Sequence, residues 1–467
     1  MVETDATATE VRTTEGTSGF VRCLGRFDVT LLVMGGIIGS GIFMNPSVVA
    51  RSLHTPFLIL AAWIVGGLIA LAGAFIYAEL AARRPQVGGQ YAYLRESFHP
   101  ILGFLYGWVL LLIVVGGGMA ASAITFARYF VDLTGLPISE RALATLTLAG
   151  LTLINCFGVR AAGTAQNLFM ILKVAAIVAL IGCGLLLARG AVPSTPAIVE
   201  PLDRPGAFGL IAAFGAAMVP VIFAYGGWQT ASFVAGEVRD PRRTLPQGLV
   251  LGTLAVVALY LAVNAACLRA LGPAGLAATH TPASDVMRAA LGEPGARFIA
   301  AGIALSTVGF LSQAMLTTPR VYFAMADDGL FFRAMAWIHP KSRVPVAAIA
   351  LQGAFAIAVA LSGRYEQILG YVIATDWIFF GLSACCLFVL RRRDRGADPA
   401  GARVPGHPWT TGAFVLASAL VVAATIAEYP VNSLIGLAIL LAGVPVYFVW
   451  SGRLAPRRRA GSSNSEV

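Results

Sequence analysis

The sequence predicts an all-α membrane protein of twelve transmembrane helices, ten of them forming a five-plus-five inverted repeat with broken helices one and six. Three observations lead there. The 467 residues are 58% hydrophobic and only 12% charged, with a mean hydropathy of +0.79. Long apolar stretches, which read as membrane-spanning helices at about 18 residues or more, lie near 28–50, 57–82, 101–131, 142–157, 165–188, 208–234, 247–270, 297–320, 345–362, 367–390, 410–428 and 431–450. Glycine clusters interrupt the first and the sixth of these, 187 residues apart from Gly39 to Gly226.

The expected organisation is an N-terminal tail (1–26), a first repeat (27–190), a second repeat (191–395), two peripheral helices (396–452) and a C-terminal tail (453–467). The first 25 residues are polar and lack a basic stretch followed by an apolar core, so they read as a tail and not as a signal peptide. Arginines collect in alternate loops: Arg83, Arg84 and Arg95; Arg160; Arg239, Arg242 and Arg243; Arg333 and Arg343 with Lys341; Arg391–Arg393; and Arg457–Arg459. This bias is the positive-inside pattern. It places both termini in the cytoplasm of a plasma-membrane (cell inner membrane) protein. The net charge of +10 therefore orients the chain and does not indicate a nucleic-acid partner.

The first segment contains GGIIGSGIF, Gly35 to Phe43. A glycine costs a helix interior about 1 kcal/mol relative to alanine, so four within seven residues favour an opening. Backbone opened at membrane depth is tolerated only where it is buried in protein or lines a wet cavity, and a cavity there points to transport. The second segment carries Glu79 near its inner end, read either as an interfacial carboxylate beside Arg83 and Arg84 or as part of a gate. The connection Arg83 to Phe98 is too polar to span and reads as an interfacial amphipathic helix after a glycine turn. Gly116–Gly118 in the third segment suits close helix contacts.

The fifth segment holds Lys173, roughly 13 Å from its inner start at 1.5 Å per residue. The chain has 31 arginines and two lysines, yet its deepest cation is a lysine. Lysine can release a proton when desolvated and arginine effectively cannot, and an intramembrane ionisable group marks function by default. The sixth segment breaks at FAYGGWQ, Phe223 to Gln229, after Pro220. Interrupted segments at matching positions in two halves point to a midplane site. The outer loop Gly272 to Gly295 then mirrors the inner Arg83–Phe98 connection. The tenth segment includes Asp376 and Trp377. Segments eleven and twelve show no buried charge and read as peripheral.

An opened helix offers two useful ends. Free N–H groups around Ser40–Ile42 suit a carboxylate, and bare carbonyls at the facing helix ends suit an ammonium. Main chain alone can thus hold the head group of an α-amino acid, with Ile37, Ile38, Phe223, Tyr225 and Trp228 as a largely apolar pocket for its tail. Neither break carries a strong charge, which favours a neutral tail. Other classes lack their parts. There is no GxxxxGK[ST] loop, no HExxH and no histidine cluster, and GGIIGSG lacks the GxGxxG spacing and βαβ context of a dinucleotide site. The six cysteines are scattered, with no disulfide or zinc pattern. No enzyme activity, cofactor or metal is expected.

IIGSGIF (Ile37 to Phe43), GGQYAYLRE (Gly88 to Glu96), the QNLFMILK run ending at Lys173 and FAYGGWQTASFVAGEVRDPRRTLP (Phe223 to Pro246) resemble the amino acid–polyamine–organocation superfamily, closest to its L-type amino acid transporters and their bacterial relatives. The resemblance covers segments one to ten. It implies substrate bound between broken helices one and six, with Ile37, Ile38, Gly39, Ser40 and Gly41 at the carboxylate. Phe223, Ala224, Tyr225 and Gly226 would sit at the amine, with Phe223 also an outer lid. Lys173 matches a lysine that stands in for the sodium ion of coupled relatives, so sodium dependence is not implied. Two departures bear on the tail: Gln229, and Asp376 before Trp377, stand where the animal transporters have asparagine. The loop Asp132 to Ser139 has no cysteine, so no disulfide-linked heavy subunit is expected. The expected function is secondary active transport of neutral amino acids by alternating access, as an exchanger or with protons as coupling ions. A cationic amino acid or polyamine carrier, with Asp376 reading the extra charge, is the first alternative, and a non-transporting amino acid sensor is the second.

Overall fold

A computed structural model describes residues 20–188, 207–362, 365–394 and 401–452. Most of the 1–26 tail, the 453–467 tail and the expected boundaries at 190/191 and 395/396 lie outside the described residues. Within them the chain is helical, with no named strand. Sixteen α-helices run α1 Arg26–Ile37, α2 Gly41–Leu53, α3 Pro56–Arg83, α4 Gln90–Ser97, α5 Pro100–Val109, α6 Gly116–Thr134, α7 Glu140–Cys156 and α8 Val159–Gly182, then α9 Ala207–Tyr225, α10 Pro241–Ala278, α11 Pro282–Thr317, α12 Pro319–Asp327, α13 Val346–Ser362, α14 Tyr365–Arg393, α15 Trp409–Glu428 and α16 Pro430–Gly452.

The starts follow local chemistry. Thr55 caps α3, its hydroxyl accepting from Leu58 N–H, with Pro56 in the first turn where a missing N–H costs nothing. Ser139 caps α7 in the same way. Among the described residues nine helices are long and apolar enough to cross a membrane, or ten if the bent pair α1–α2 is one span. Expected segments four and nine form α7 and α13, each 17 residues long.

The first segment breaks as the glycine pattern predicts: α1 stops at Ile37, α2 starts at Gly41, and their axes differ by 42°. The sixth changes character at its glycines. The α-helix ends at Tyr225, Gly227 takes φ +109, and the chain continues as a 3₁₀ helix, Trp228–Glu237. A further irregularity has no glycine signal at its start. Leu110–Val115 forms a π-helix between α5 and α6, a feature common at functional sites.

One expectation is corrected. Helix α4 follows Gly88 and Gly89, both at positive φ, as the turn required. Its apolar side chains do not form a lipid-facing stripe: Tyr91, Tyr93 and Leu94 are all buried in the core, and only Phe98 after it is exposed. Gly88 N–H donates to Phe233 O at 3.1 Å, Tyr91 Oη donates to Asp328 at 2.8 Å, and Arg95 pairs with Asp328. These bonds tuck α4 beneath the bundle and cover its aromatic face with protein.

The same end of the bundle carries the N-terminal segment. Cys23 and Leu24 N–H groups both donate to Glu237 O at 2.9 Å, and Arg239 N–H donates to Leu24 O at 3.1 Å. The Phe20 ring meets Phe323 edge-on at 4.9 Å. Glu79, fully buried, is the hub of a network there. Its carboxylate accepts from Arg83 at 2.8 Å, from Arg391 at 2.5 Å and from Val404 N–H at 2.8 Å. The Arg83 contact matches the sequence reading; the Arg391 contact ties α3 to the end of α14.

Candidate functional site

The two breaks touch through main chain. A Cβ added at Gly36 would come within 2.6 Å of Gly227 O, and a Cβ at Gly41 would meet Ala224 at 3.3 Å. Only glycine at 36 and at 227 lets the broken ends come this close. Asn45 Nδ2 donates to Pro220 O at 2.7 Å and ties α2 to α9 just beyond the contact.

Around this crossing lies a cavity of about 390 Å³, the size of a small-molecule site. It runs from Thr318, two residues short of Arg320, past both breaks, to Arg128 towards the opposite end of the bundle. The π-helix contributes Leu110, Val114 and Val115 to its wall, and α6 contributes Ser122 and Thr125. Arg128 pairs with Glu140 at 3.5 Å.

Of the residues singled out in the sequence, Ile37, Gly39, Ser40, Gly41, Phe223, Ala224, Gly226, Asp376 and Trp377 line this cavity. Ile38, Tyr225 and Trp228 do not, although their main chain belongs to the breaks. Tyr225 Oη instead donates to Trp63 O at 3.2 Å, and its ring packs edge-on against Trp63. Trp228 stacks on Phe380 at 5.0 Å. The positive φ of Gly227 and the 3₁₀ path after it turn Trp228 into the core, whereas a continuous α-helix would carry it round with a different phase.

Lys173, on α8, is fully buried, and its Nζ donates to Ile38 O at 2.5 Å. The lysine therefore satisfies a carbonyl that the break leaves without a helical partner. No described carboxylate pairs with it. Asp376 has one carboxylate oxygen, Oδ1, that is buried and has no hydrogen-bond partner among the described residues. A desolvated acceptor of this kind is costly unless something donates to it.

Other functional groups escaped the sequence reading. Tyr260 Oη lies 3.1 Å from Ile37 O and 3.2 Å from Ala224 O, so one hydroxyl serves the carbonyl ends of both breaks. Gln313 Nε2 donates to Thr230 Oγ1 at 2.7 Å, and that hydroxyl donates to Gly227 O at 2.8 Å. Their only signal was to be polar groups inside apolar runs.

A membrane bundle with two broken helices enclosing a midway cavity lined by main chain defines a permease-like carrier. The comparisons make the class specific. The amino acid permease family matches residues 24–450, and the chain belongs to that family. It is 31% identical over 446 residues to the serine/threonine exchanger SteT of Bacillus subtilis (strain 168), covering 94% of this chain and 99% of that protein. It is 31% identical over 428 residues to the human large neutral amino acids transporter small subunit 2, with 90% and 78% covered. It is 26% identical over 394 residues to the mouse b(0,+)-type amino acid transporter 1, with 82% and 78% covered. These relatives are transporters and not enzymes. The chain is an amino acid transporter of the amino acid–polyamine–organocation superfamily, with L-type relatives.

Proposed function

We propose that this chain is a secondary active carrier of neutral amino acids, working by alternating access as an exchanger or with protons. The observation that carries this reading is the pressing together of the two breaks at Gly36 and Gly227, beside a cavity about 390 Å³ in volume. At Ser40–Ile42 the α2 N-terminus presents amides and the positive end of a helix dipole to a carboxylate. The carbonyls at the end of α9 face a substrate ammonium. Ile37, Phe223, Phe310 and Trp377 leave mainly apolar surface for the tail. SteT is by its name a serine/threonine exchanger, which supports exchange of small neutral substrates.

The reading takes the spans as twelve, counting α7 and α13, since 17 residues rise about 25 Å and reach the lower limit of a crossing. It takes the N-terminal end as cytoplasmic and the repeat as five plus five. The short helical stretches either side of Gly272 and Gly292, both at positive φ, stand where a counterpart of α4 is expected. In this orientation the Glu237–Arg320 pair closes the inner side while the cavity extends outward, with Phe223 partly exposed at its wall. No disulfide-linked heavy subunit is included.

One observation favours a second reading. The unpartnered Asp376 oxygen in the wall would take a substrate's extra ammonium, as in a cationic amino acid or polyamine carrier. Purified protein in liposomes loaded with unlabelled amino acid tests both. Uptake of labelled serine, alanine or leucine that requires internal amino acid or a proton gradient is expected. Uptake competed by arginine or cadaverine but not by leucine would select the second reading. Binding without any uptake would leave a sensor.

A further inference from the structure

A second cavity, of about 730 Å³, lies at the N-terminal end of the bundle, outside the site described above. Its wall holds four arginines from three parts of the chain: Arg26 from α1, Arg242 and Arg243 from the first turn of α10, and Arg403 from the irregular stretch before α15. No acidic side chain lines it. Among the described residues none of the four arginines makes an ion pair, whereas Arg83, Arg84, Arg95 and Arg391 at the same end are all paired with carboxylates. The placement is built and not accidental to a loose loop. Val404 N–H is bonded to the buried Glu79 carboxylate, which anchors the main chain beside Arg403. Arg242 and Arg243 stand in the first turn of α10, where the dipole repels cations, so four like charges line one cavity with no ion pair among the described residues.

The floor of this cavity is apolar: Phe75 and Ala78 from α3, Val250 and Leu251 from α10. It continues into an exposed apolar track, with Leu251 and Leu254 one turn apart on α10 and Leu68 two turns from Phe75 on α3. The geometry points to a binding site for an anionic phospholipid, its phosphate among Arg26, Arg242, Arg243 and Arg403 and its acyl chains along α3 and α10. A basic pocket between spanning helices at the membrane surface is where such headgroups bind. The apolar track favours a lipid over a free phosphoanion, which has no use for it.

The test uses the full chain in nanodiscs of phosphatidylcholine with and without phosphatidylglycerol, reading retained lipid by native mass spectrometry. The wild type is expected to retain phosphatidylglycerol in preference to phosphatidylcholine. Each arginine removed should lower that preference about fivefold, so Arg242→Gln, Arg243→Gln and Arg403→Gln together should lower it on the order of a hundredfold. Arg392→Gln, an exposed arginine at the same end, should leave it unchanged. If the triple variant does not fold, Arg403→Gln alone, outside any helix, carries the fivefold reading. No preference in the wild type, its survival in the variants, or an equal loss in Arg392→Gln overturns the site. Thermal protection by inorganic pyrophosphate in phosphatidylcholine alone, equal to that by phosphatidylglycerol, assigns it to a free phosphoanion and overturns the lipid. The readout is binding and not uptake, so it stands apart from the transport reading.

Discussion

Among the described residues two cations are fully buried, and they are held in opposite ways. Arg320 meets Glu237 through two nitrogens, at 2.7 and 3.3 Å, with both side chains about 1% exposed. Lys173 meets only a carbonyl, that of Ile38. The first is a matched pair of two nitrogens on two oxygens, a fixed fork that suits the planar guanidinium, with Arg320 Nη1 left buried and without a partner among the described residues. The second is an ammonium whose one bond among the described residues is to the break that lines the 390 Å³ cavity. A buried pair fixes a geometry; a buried single charge tied to a movable carbonyl couples to whatever moves that carbonyl. On the proposed reading, Arg320 closes the inner end and Lys173 belongs to the working of the site.

The sharpest way to break that contrast is to remove one partner of the pair. Arg320→Met leaves the Glu237 carboxylate buried and uncompensated, a loss of about 3–5 kcal/mol, measured as detergent-solubilised thermal unfolding. Glu237→Leu with Arg320→Met should recover most of it, since apolar replacement of a whole buried pair is often neutral. A double variant as unstable as the single would show that the pair is not a self-contained unit.

Lys173→Met should behave differently. Unfolding should shift less, by about 1–3 kcal/mol for the carbonyl left unpaired, because no carboxylate is stranded. Uptake in proteoliposomes should fall on the order of tenfold or more, equivalent to about 1.4 kcal/mol or more, with a changed dependence on pH. A stable, fully active Lys173→Met would reduce the lysine to a packing role and erase the contrast. Next in size is Tyr260→Phe. It deletes one hydroxyl shared by Ile37 O and Ala224 O, so a loss of about 0.5–1.5 kcal/mol is expected. That should appear as a several-fold rise in the substrate concentration for half-maximal uptake, with little change in unfolding.

These residues also mark where the sequence was legible. The breaks could be read because glycine spacing acts locally: Gly35–Gly41 and Gly226–Gly227 weaken the helix where they stand. Lys173 could be read because one lysine among arginines at that depth is a local anomaly. Tyr260 could not, since its partner Ile37 is 223 positions away and nothing in an apolar run says which way a lone tyrosine points. Tyr225 and Trp228 were expected to face the cavity because they flank the break, and position in the chain does not say which way each ring turns. Trp63, 162 positions from Tyr225, holds the first, and Phe380 with the 3₁₀ path after Gly227 holds the second. The burial of α4 depends on Asp328 and Phe233, contributed by distant parts of the chain, so its aromatic residues looked interfacial when read alone.

The smallest expected effect completes the comparison by moving a charge pair to the wet end of the molecule. Asp394 lies just past α14 and accepts from Arg84 at 2.9 and 3.0 Å and from Arg83 at 3.4 Å. The Arg84 hydrogen bonds hold its carboxyl below the usual carboxylate range. A group whose folded pKa is depressed stabilises the fold above its unfolded value and loses that contribution as pH falls through its folded value. The Asp394 contribution should therefore be complete above about pH 4 and fade below it. Its size should be about 0–1 kcal/mol, because both partners are reached by solvent and salt. Asp394→Asn should then unfold like the wild type at low pH and only slightly earlier at neutral pH, and added salt should shrink the gap. If Asp394→Asn matched Arg320→Met in cost, solvent access would not be what separates the ion pairs of this protein, and the reading of Lys173 from its dry, unpaired setting would lose its footing.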